Sequence, residues 1–169
     1  VMKMADGGFR PAFNVQLAVD AATQLIAGVD VVTVGSDMNE MVPMHRQIGE
    51  RYGHTPTHWL ADGGYTRLQA IDHLAQHGTE PLMPPPRSRD PNVDPFAPKR
   101  SDSEHVAQWR ARMASDAGKA LYKLRAASIE CTNAQVRRRA LYRFLVRGVG
   151  KARCVMLWHA LAHNLMRMR

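Results

Sequence analysis

The heptapeptide LADGGYT, residues 60 to 66, ends a short apolar run with a carboxylate followed by two glycines. In open α/β sheets, ligand-binding groups gather at the carboxyl ends of strands, and Asp62 takes such a position. Gly63 and Gly64 remove side chains beside it, so a nucleic-acid backbone could approach closely, and they allow unusual backbone angles. A tight turn capped by Asp62 is the other interpretation, and the local sequence leaves both open.

Glu130 is the one acidic residue beyond Asp116, in a segment dense in arginine and lysine. At 3.6 residues per turn, this glutamate falls within a positive stripe on one helix face. The members of that face are Lys123, Ala127, Glu130, Asn133 and Arg137. A surface ion pair with Arg137 or Lys123, contributing about 0.3–0.5 kcal/mol, would explain an acidic residue here. It would not explain why the segment has only one.

Two carboxylates in a basic surrounding suit phosphodiester chemistry. Two divalent cations about 3.5–4 Å apart can catalyse that chemistry, one stabilising the attacking oxygen and one the leaving oxygen. Mg²⁺ prefers hard oxygen ligands, and water and substrate phosphate can complete its coordination shell. We therefore predict that Asp62 and Glu130 converge to bind Mg²⁺, or Mn²⁺, beside a DNA phosphate.

The charge distribution indicates a polyanionic partner. The net charge is +8, but residues 1–86 hold 5 Lys/Arg and 9 Asp/Glu, whereas residues 87–169 hold 18 and 6, which gives −4 and +12. Neutralising DNA phosphates releases counterions and gives affinity that is independent of sequence. The residues predicted on this ground to bind DNA are Arg137, Arg138, Arg139, Arg143, Arg147, Lys151 and Arg153. A solvated helix face is the alternative.

Periodicity predicts the elements that must position these residues, and their order predicts an α/β sheet with crossover helices. The predicted strands cover 13–21, 25–34, 58–62 and 80–84, the first two forming a hairpin, and the predicted helices cover 36–53, 67–78, 102–115, 119–139 and 150–168. The proline-rich run PPPRSRDPNVDPFAP predicts a loop. We expect one domain with a strand-and-helix part (1–83), this loop (84–101) and a basic helical part (102–169).

The motif LADGGYT, together with LYKLRAASIECTNAQVRRRALYRFLVRGVGKARCVMLWHALAHNLMRM, resembles the C-terminal catalytic part of bacterial insertion-sequence DDE transposases. The segments GGFRPAFNVQLAVD and GSDMNEM resemble the same family, so the likeness covers essentially the whole chain. It implies a ribonuclease-H-like fold in which three acidic residues bind two Mg²⁺ ions. It also implies double-stranded DNA as the partner, a homodimer assembled on DNA, and a cytoplasmic, nucleoid-associated location without membrane contact.

By matching motifs, the resemblance implies that Asp62 is the second acid of the triad, at the end of the fourth strand, and Glu130 the third, on a late helix. It further implies that Lys123, Asn133 and Arg137 lie near the substrate. These assignments agree with what the residue types and their spacing predict.

The first aspartate of the family has no counterpart in this sequence. In the family it lies on the first strand, upstream of the part that GGFRPAFNVQ resembles. Asp6, Asp20 and Asp30 lie in or near the hairpin region, and Asp37 is interpreted as a helix cap. We expect a truncated unit that lacks the first strand, carries two of the three acids and shows little or no Mg²⁺-dependent nicking by itself.

Two other functions fit the same residues. One is a non-catalytic nucleic-acid-binding module, in which Asp62 caps a turn and Glu130 pairs with arginine. The other is a ribonuclease-H-like nuclease without strand transfer. Metal binding separates the first of these from a transposase, because the binding module would be indifferent to Mg²⁺.

The last predicted helix contains His159 and His163 at i, i+4, but it lacks the intervening glutamate of a zinc hydrolase motif. The neighbouring Leu157, Trp158, Leu161 and Leu165 favour a packing role for this segment. The methionines Met41, Met44, Met156, Met166 and Met168 are predicted to fill the core. Cys131 and Cys154 lack metal-ligand spacing, which indicates free thiols in a reducing compartment.

Overall fold

The computed structural model describes residues 1–3, 6–88, 90–138, 141 and 143–168 and shows a mixed α/β fold. The strands are β1 (Met2–Lys3), β2 (Phe9–Arg10), β3 (Asn14–Val19), β4 (Ile26–Val32), β5 (His58–Leu60) and β6 (Glu80–Leu82). The helices are α1 (Met41–Tyr52), α2 (Leu68–Gln76), α3 (Glu104–Ala114), α4 (Asp116–Arg125), α5 (Cys131–Arg138) and α6 (Val149–Arg167). A 3₁₀ turn covers Gly63–Tyr65, and a π-helical segment covers Ala126–Glu130.

Within the described residues the strands form three two-stranded sheets, β1 with β2, β3 with β4, and β5 with β6. The chain divides into two compact units. The first unit consists of Val1–Ser36 and Ala126–Arg169, and the second unit is Asp37–Arg125.

The predicted hairpin is confirmed in the first unit. Strands β3 and β4 pair antiparallel from Asn14 opposite Val32 onward, and an irregularity between Ala18 and Val19 leads into the turn. Asp20 holds that turn, because its Oδ1 accepts hydrogen bonds from the Thr23 hydroxyl at 2.6 Å and the Thr23 amide at 2.7 Å. These bonds stabilise the ionised form and lower the pKa of Asp20.

Helix α6 packs on the hairpin and completes the core of the first unit. Ile26, Val29 and Val31 of β4 meet Met156 and Ala160 of the helix. The Asn164 side chain fixes the register of the helix on the strand: its Oδ1 accepts from the Ile26 amide at 2.8 Å, and its Nδ2 donates to the Ile26 carbonyl at 2.9 Å. The side chain thereby satisfies a strand-edge donor and acceptor as a neighbouring strand would.

His163 is buried, whereas the apolar residues around it are exposed. His163 is buried, with its Nε2 at 2.8 Å from the Gln24 carbonyl. Four apolar residues of α6 are exposed: Leu157, Trp158, Leu161 and Leu165. Within the described part of the chain, the predicted packing role of these four residues is wrong. Met41, Met44 and Met156 are buried as predicted, whereas Met166 and Met168 are exposed. The two methionines lie on or after the last turn of α6, where no described element covers them.

The second unit is built on a strand–helix–strand motif. Strands β5 and β6 pair in parallel, with His58 opposite Glu80 and Leu60 opposite Leu82, and α2 connects them. The amphipathic spacing of α2 buries Ile71 and Leu74 completely. Helices α1 and α3 add Met41, Val106, Trp109 and Met113 to the same cluster.

A buried ion pair joins α3 to the residue two positions before its start. The Arg110 Nε donates to Asp102 Oδ2 at 2.7 Å, and both side chains are almost fully buried. Burial alone would raise the pKa of Asp102, but hydrogen bonds from the Lys99 amide and Arg110 outweigh it and lower that pKa. Over the described ranges, no helix is long and apolar enough to cross a membrane.

Three histidines lie together in the second unit. His45 of α1 is 1% exposed, and its ring centroid lies 5.8 Å from that of His73 and 6.0 Å from that of His77. Its Nε2 lies 2.8 Å from the Thr79 hydroxyl, which donates to the Pro56 carbonyl at 2.7 Å. The hydroxyl therefore accepts from His45, and this assigns the proton of the neutral ring to Nε2.

Burial and the neighbouring His73 and His77 lower the pKa of His45 from its ordinary value of 6.5, and burial, His77 and Arg46 do the same for His73. Below pH 6.5 the unfolded chain therefore binds more protons at these positions than the folded chain. The free energy of unfolding should therefore decrease as the pH is lowered.

We expect this loss between pH 7.5 and 5.5 in urea unfolding experiments. The variant His45→Gln, which keeps an amide donor for Thr79, should show a shallower pH dependence. Equal pH slopes in the two proteins would contradict the assignment.

Candidate functional site

Asp62 lies where the sequence predicts, two residues after β5. Its backbone is extended, it precedes the 3₁₀ turn, and its side chain is exposed. The Asp62 Oδ1 accepts a hydrogen bond from the Gly64 amide at 2.8 Å. The turn-capping interpretation is therefore confirmed, and it leaves acceptor capacity on the carboxylate, since a carboxylate offers about four lone-pair sites.

The backbone on both sides of Asp62 is held by the end of β6 and the residues that follow it. On one side, the Ala61 amide donates to the Leu82 carbonyl at 3.2 Å, which continues the parallel pairing by one bond. On the other side, the buried Thr66 hydroxyl donates to the Pro84 carbonyl at 3.0 Å. These two bonds fix the ends of the loop, so the position of the carboxylate follows from the strand pairing.

Gly64 lies close to two carboxylate side chains. A Cβ at this position would lie 3.0 Å from Asp62 Oδ1 and 3.9 Å from Asp37 Oδ2, so the glycine separates two carboxylates. A Cβ on Gly63 would only touch Pro84, at 3.6 Å. Neither glycine has a positive φ, so the expectation of unusual backbone angles is wrong. The absent side chain, and not backbone freedom, explains Gly64.

Polar residues that sequence reasoning did not select lie in the same unit. Arg67, which follows the LADGGYT motif, donates to the Asn39 side chain. Both line a cavity of about 370 Å³ whose other walls are Met38, Val42, Pro43, Gln69, Ala70 and His73. Asp37 is not the helix cap that the sequence suggested, because α1 begins at Met41 with Glu40 as the N-cap residue. Arg67 directly follows the LADGGYT motif in the sequence, and this position could have identified it as a candidate site residue.

Glu130 is the last residue of the π-helical segment and is exposed in the first unit. The chain continues into α5, where Asn133 and Arg137 are also exposed while Thr132 and Val136 are buried. The spacings of three and seven residues from Glu130 thus agree with an exposed face. Single π-helical turns are rare and occur frequently at functional sites.

Lys123 lies on α4 in the second unit, and Glu130 lies in the first. The prediction of one face from Lys123 to Arg137 assumed a uniform period of 3.6 residues. The π-helical segment, in which hydrogen bonds span five residues, interrupts that period, so the part of the face before Glu130 stays a prediction.

The remaining basic residues are distributed over the C-terminal part of the first unit. Arg138, at the end of α5, and Arg143, Arg147 and Lys151 are exposed, as is Lys123 in the second unit. Arg139 lies outside the described residues. Exposure leaves these cations available to phosphates, and it equally agrees with a solvated surface.

The donors at Asp62 and Glu130 fit a hard cation such as Mg²⁺, since both are exposed carboxylates. Among the residues that the structure describes, no group of three or more histidine, cysteine, aspartate or glutamate side chains is placed to hold a metal ion. Asp62 belongs to the second unit and Glu130 to the first, so their predicted convergence stays a prediction.

Comparison with known protein families gave a match to the model described as the transposase DDE domain, over residues 3–165. No curated protein and no solved structure matched the chain.

The spacing around Gly64 leads to a matched pair of variants. In Gly64→Ala the new Cβ would displace the Asp62 carboxylate by a few tenths of an ångström and lengthen its bond to the amide of residue 64. Gly63→Ala should leave that bond unchanged. Because one exposed hydrogen bond is affected, the free energy of unfolding should change by less than about 1 kcal/mol in either variant.

The bond can be followed by the temperature dependence of the amide proton shift of residue 64 in NMR spectra. A larger coefficient in Gly64→Ala alone is expected. Identical coefficients in the wild type and both variants would show that Gly64 does not set the position of the carboxylate.

Proposed function

The chain belongs to the transposase DDE domain family, and we propose that Asp62 and Glu130 form part of its divalent-metal site for DNA cleavage and strand transfer at insertion-sequence ends. The observation that supports this most strongly is the exposed Asp62 carboxylate, held at the end of β5 by the tethered loop. A carboxylate whose loop is fixed at both ends loses little conformational freedom when a cation binds.

Mg²⁺, when bound, supplies Lewis-acid stabilisation of the attacking and leaving oxygens of the phosphodiester. The role of Asp62 is to offer a hard oxygen at a fixed place, with Oδ1 oriented by the Gly64 amide. Glu130 offers the second carboxylate from an exposed position directly before α5. Gly64 keeps the approach to Asp62 free of a side chain.

The basic residues of the C-terminal part would hold the DNA. Arg137, Arg138, Arg143, Arg147 and Lys151 are exposed in the first unit together with Glu130, so phosphate binding would occur in the unit that holds this acid. Double-stranded DNA is the partner that the net charge of +8 and the family both favour. Asn133 and Lys123 are proposed to support substrate binding.

We extend the proposal to a ribonuclease-H-like arrangement. The order of a hairpin, a helix, and then the parallel pair β5 and β6 joined by α2 supports it. In that arrangement, residues 1–83 and 102–169 would belong to one catalytic domain, which would bring Asp62 and Glu130 together.

A non-catalytic nucleic-acid-binding module is the second candidate. The specific observation in its favour is the hydrogen bond from the Gly64 amide, which gives Asp62 a structural role in its turn. This module would bind DNA without regard to divalent metal, so metal affinity separates the two functions.

Titration of the chain with Mn²⁺, as a probe of the magnesium site, tests the proposal. We expect saturable binding in the wild type and at least a tenfold loss of affinity in Asp62→Asn and in Glu130→Gln, because each substitution removes an anionic oxygen ligand. Calorimetry or the electron paramagnetic resonance signal of free Mn²⁺ would measure this.

The variant Asp116→Asn is the control, since Asp116 is a fully exposed carboxylate near Lys119 at the start of a helix. It should bind Mn²⁺ as the wild type does. Affinity that is unchanged in both Asp62→Asn and Glu130→Gln would support the binding module instead.

A further inference from the structure

Helix α6 carries apolar residues on two opposite sides. Its inner side, with Ala152, Met156, Ala160 and His163, is buried in the first unit. The outer face of α6 consists of the exposed residues Cys154, Leu157, Trp158, Leu161, Leu165 and Met168. Cys154, Trp158, Leu161, Leu165 and Met168 follow one another at alternating steps of four and three residues, the spacing of a heptad seam between paired helices, and Leu157 lies beside them.

The outer face of α6 is large for a surface that stays in water. Trp158 is 71% exposed, Leu165 58% and Leu161 48%, so the face presents on the order of 600 Å² of apolar area. That area is at the upper end of the largest apolar patches on ordinary monomers. Pairing two such faces would bury about 1,200 Å² in total, which reaches the lower bound for specific protein interfaces.

We propose that the outer face of α6 pairs with the same face of a second copy of the chain, with the two helices antiparallel. This pairing needs no DNA and does not depend on the proposed metal site. A self-complementary apolar face is what a two-fold symmetric dimer requires, because each patch meets its own copy.

The position of Leu161 suggests the centre of the pair. It is midway between Cys154 and Met168, so an antiparallel crossing at Leu161 places Cys154 against Met168 of the other copy. It likewise places Leu157 against Leu165, and the large ring of Trp158 beside Leu165. Each apolar residue of one copy then faces an apolar residue of the other.

The charges on α6 favour antiparallel over parallel helices. Lys151 continues the outer face toward the amino end, three residues before Cys154. A parallel pair would bring this cation against its own copy. In the antiparallel pair, Lys151 lies near the carboxyl end of the other helix, whose terminal carbonyls attract a cation, and the two helix dipoles oppose each other.

Analytical ultracentrifugation without DNA tests the dimer. We expect a concentration-dependent dimer for the wild type and a monomer for Leu161→Glu, which places two carboxylates at the centre of the pair. Leu145→Glu is the matched control, since Leu145 is 83% exposed outside α6 and should leave the dimer intact. Circular dichroism would verify that the helix content is unchanged, and Trp158→Gln gives a second variant if Leu161→Glu unfolds.

A wild type that is monomeric at all concentrations would overturn the proposal. A dimer that survives both Leu161→Glu and Trp158→Gln would also overturn it, because a different surface would then be responsible. Since the Mn²⁺ titration follows Asp62 and Glu130 only, either result leaves the proposed metal site to be judged separately.

Thiol cross-linking tests the orientation. In a Cys131→Ser background, Cys154 combined with Met168→Cys should form an intermolecular disulfide under mild oxidation, whereas Cys154 without Met168→Cys should not. Efficient cross-linking between two copies of Cys154 would show parallel helices and contradict the proposed arrangement.

Discussion

The parallel pairing of β5 with β6 determines where Asp62 can lie. Leu60 pairs with Leu82, the Ala61 amide adds one more bond to the Leu82 carbonyl, and the Thr66 hydroxyl returns the chain to Pro84. The five residues between Leu60 and Thr66 are therefore tethered at both ends to one segment. A slip of this register by one residue would invert the sides of the strand and move the carboxylate from its exposed position.

A few hydrogen bonds fix the position of α6 in the first unit. The double hydrogen bond between Asn164 and the backbone of Ile26 sets both the height and the rotation of α6 on β4. His163 and Gln24 add a further bond at the turn of the hairpin. Once that rotation is fixed, the apolar stripe that includes Trp158 and Leu161 must face away from the hairpin. The inner contacts thus determine which face of the helix is exposed.

Much of the local structure could be predicted because it follows from short-range patterns. Alternation predicted the hairpin, helical spacing predicted α1 and α2, and the position of Asp62 after an apolar run predicted its exposure at a strand end. The sequence predicts that Gly64 leaves space beside Asp62, and the structure agrees, because a Cβ there would lie 3.0 Å from Asp62 Oδ1. The φ angle of Gly64 is negative, so backbone freedom plays no part.

Other features depend on contacts that no local pattern contains. The π-helical segment before Cys131 inserts an irregular turn into a sequence that reads as a continuous helix, so the uniform period of 3.6 residues behind the predicted face of Lys123 and Glu130 does not hold there. Apolar residues on α6 were assigned to packing because hydrophobicity shows which residues avoid water but not which of two faces finds a partner. The pairing of Asn164 with Ile26, separated by 138 positions, has no sequence signature.

The proposed function requires Asp62 and Glu130 to hold the same divalent-metal site. Replacing Mg²⁺ by Fe²⁺, with ascorbate and peroxide, generates hydroxyl radicals that cut the backbone beside the bound metal. We expect cuts near both residue 62 and residue 130, competed by excess Mg²⁺ and lost together in Asp62→Asn. Cuts beside only one of the two residues, or cuts that Asp62→Asn leaves unchanged, would contradict it.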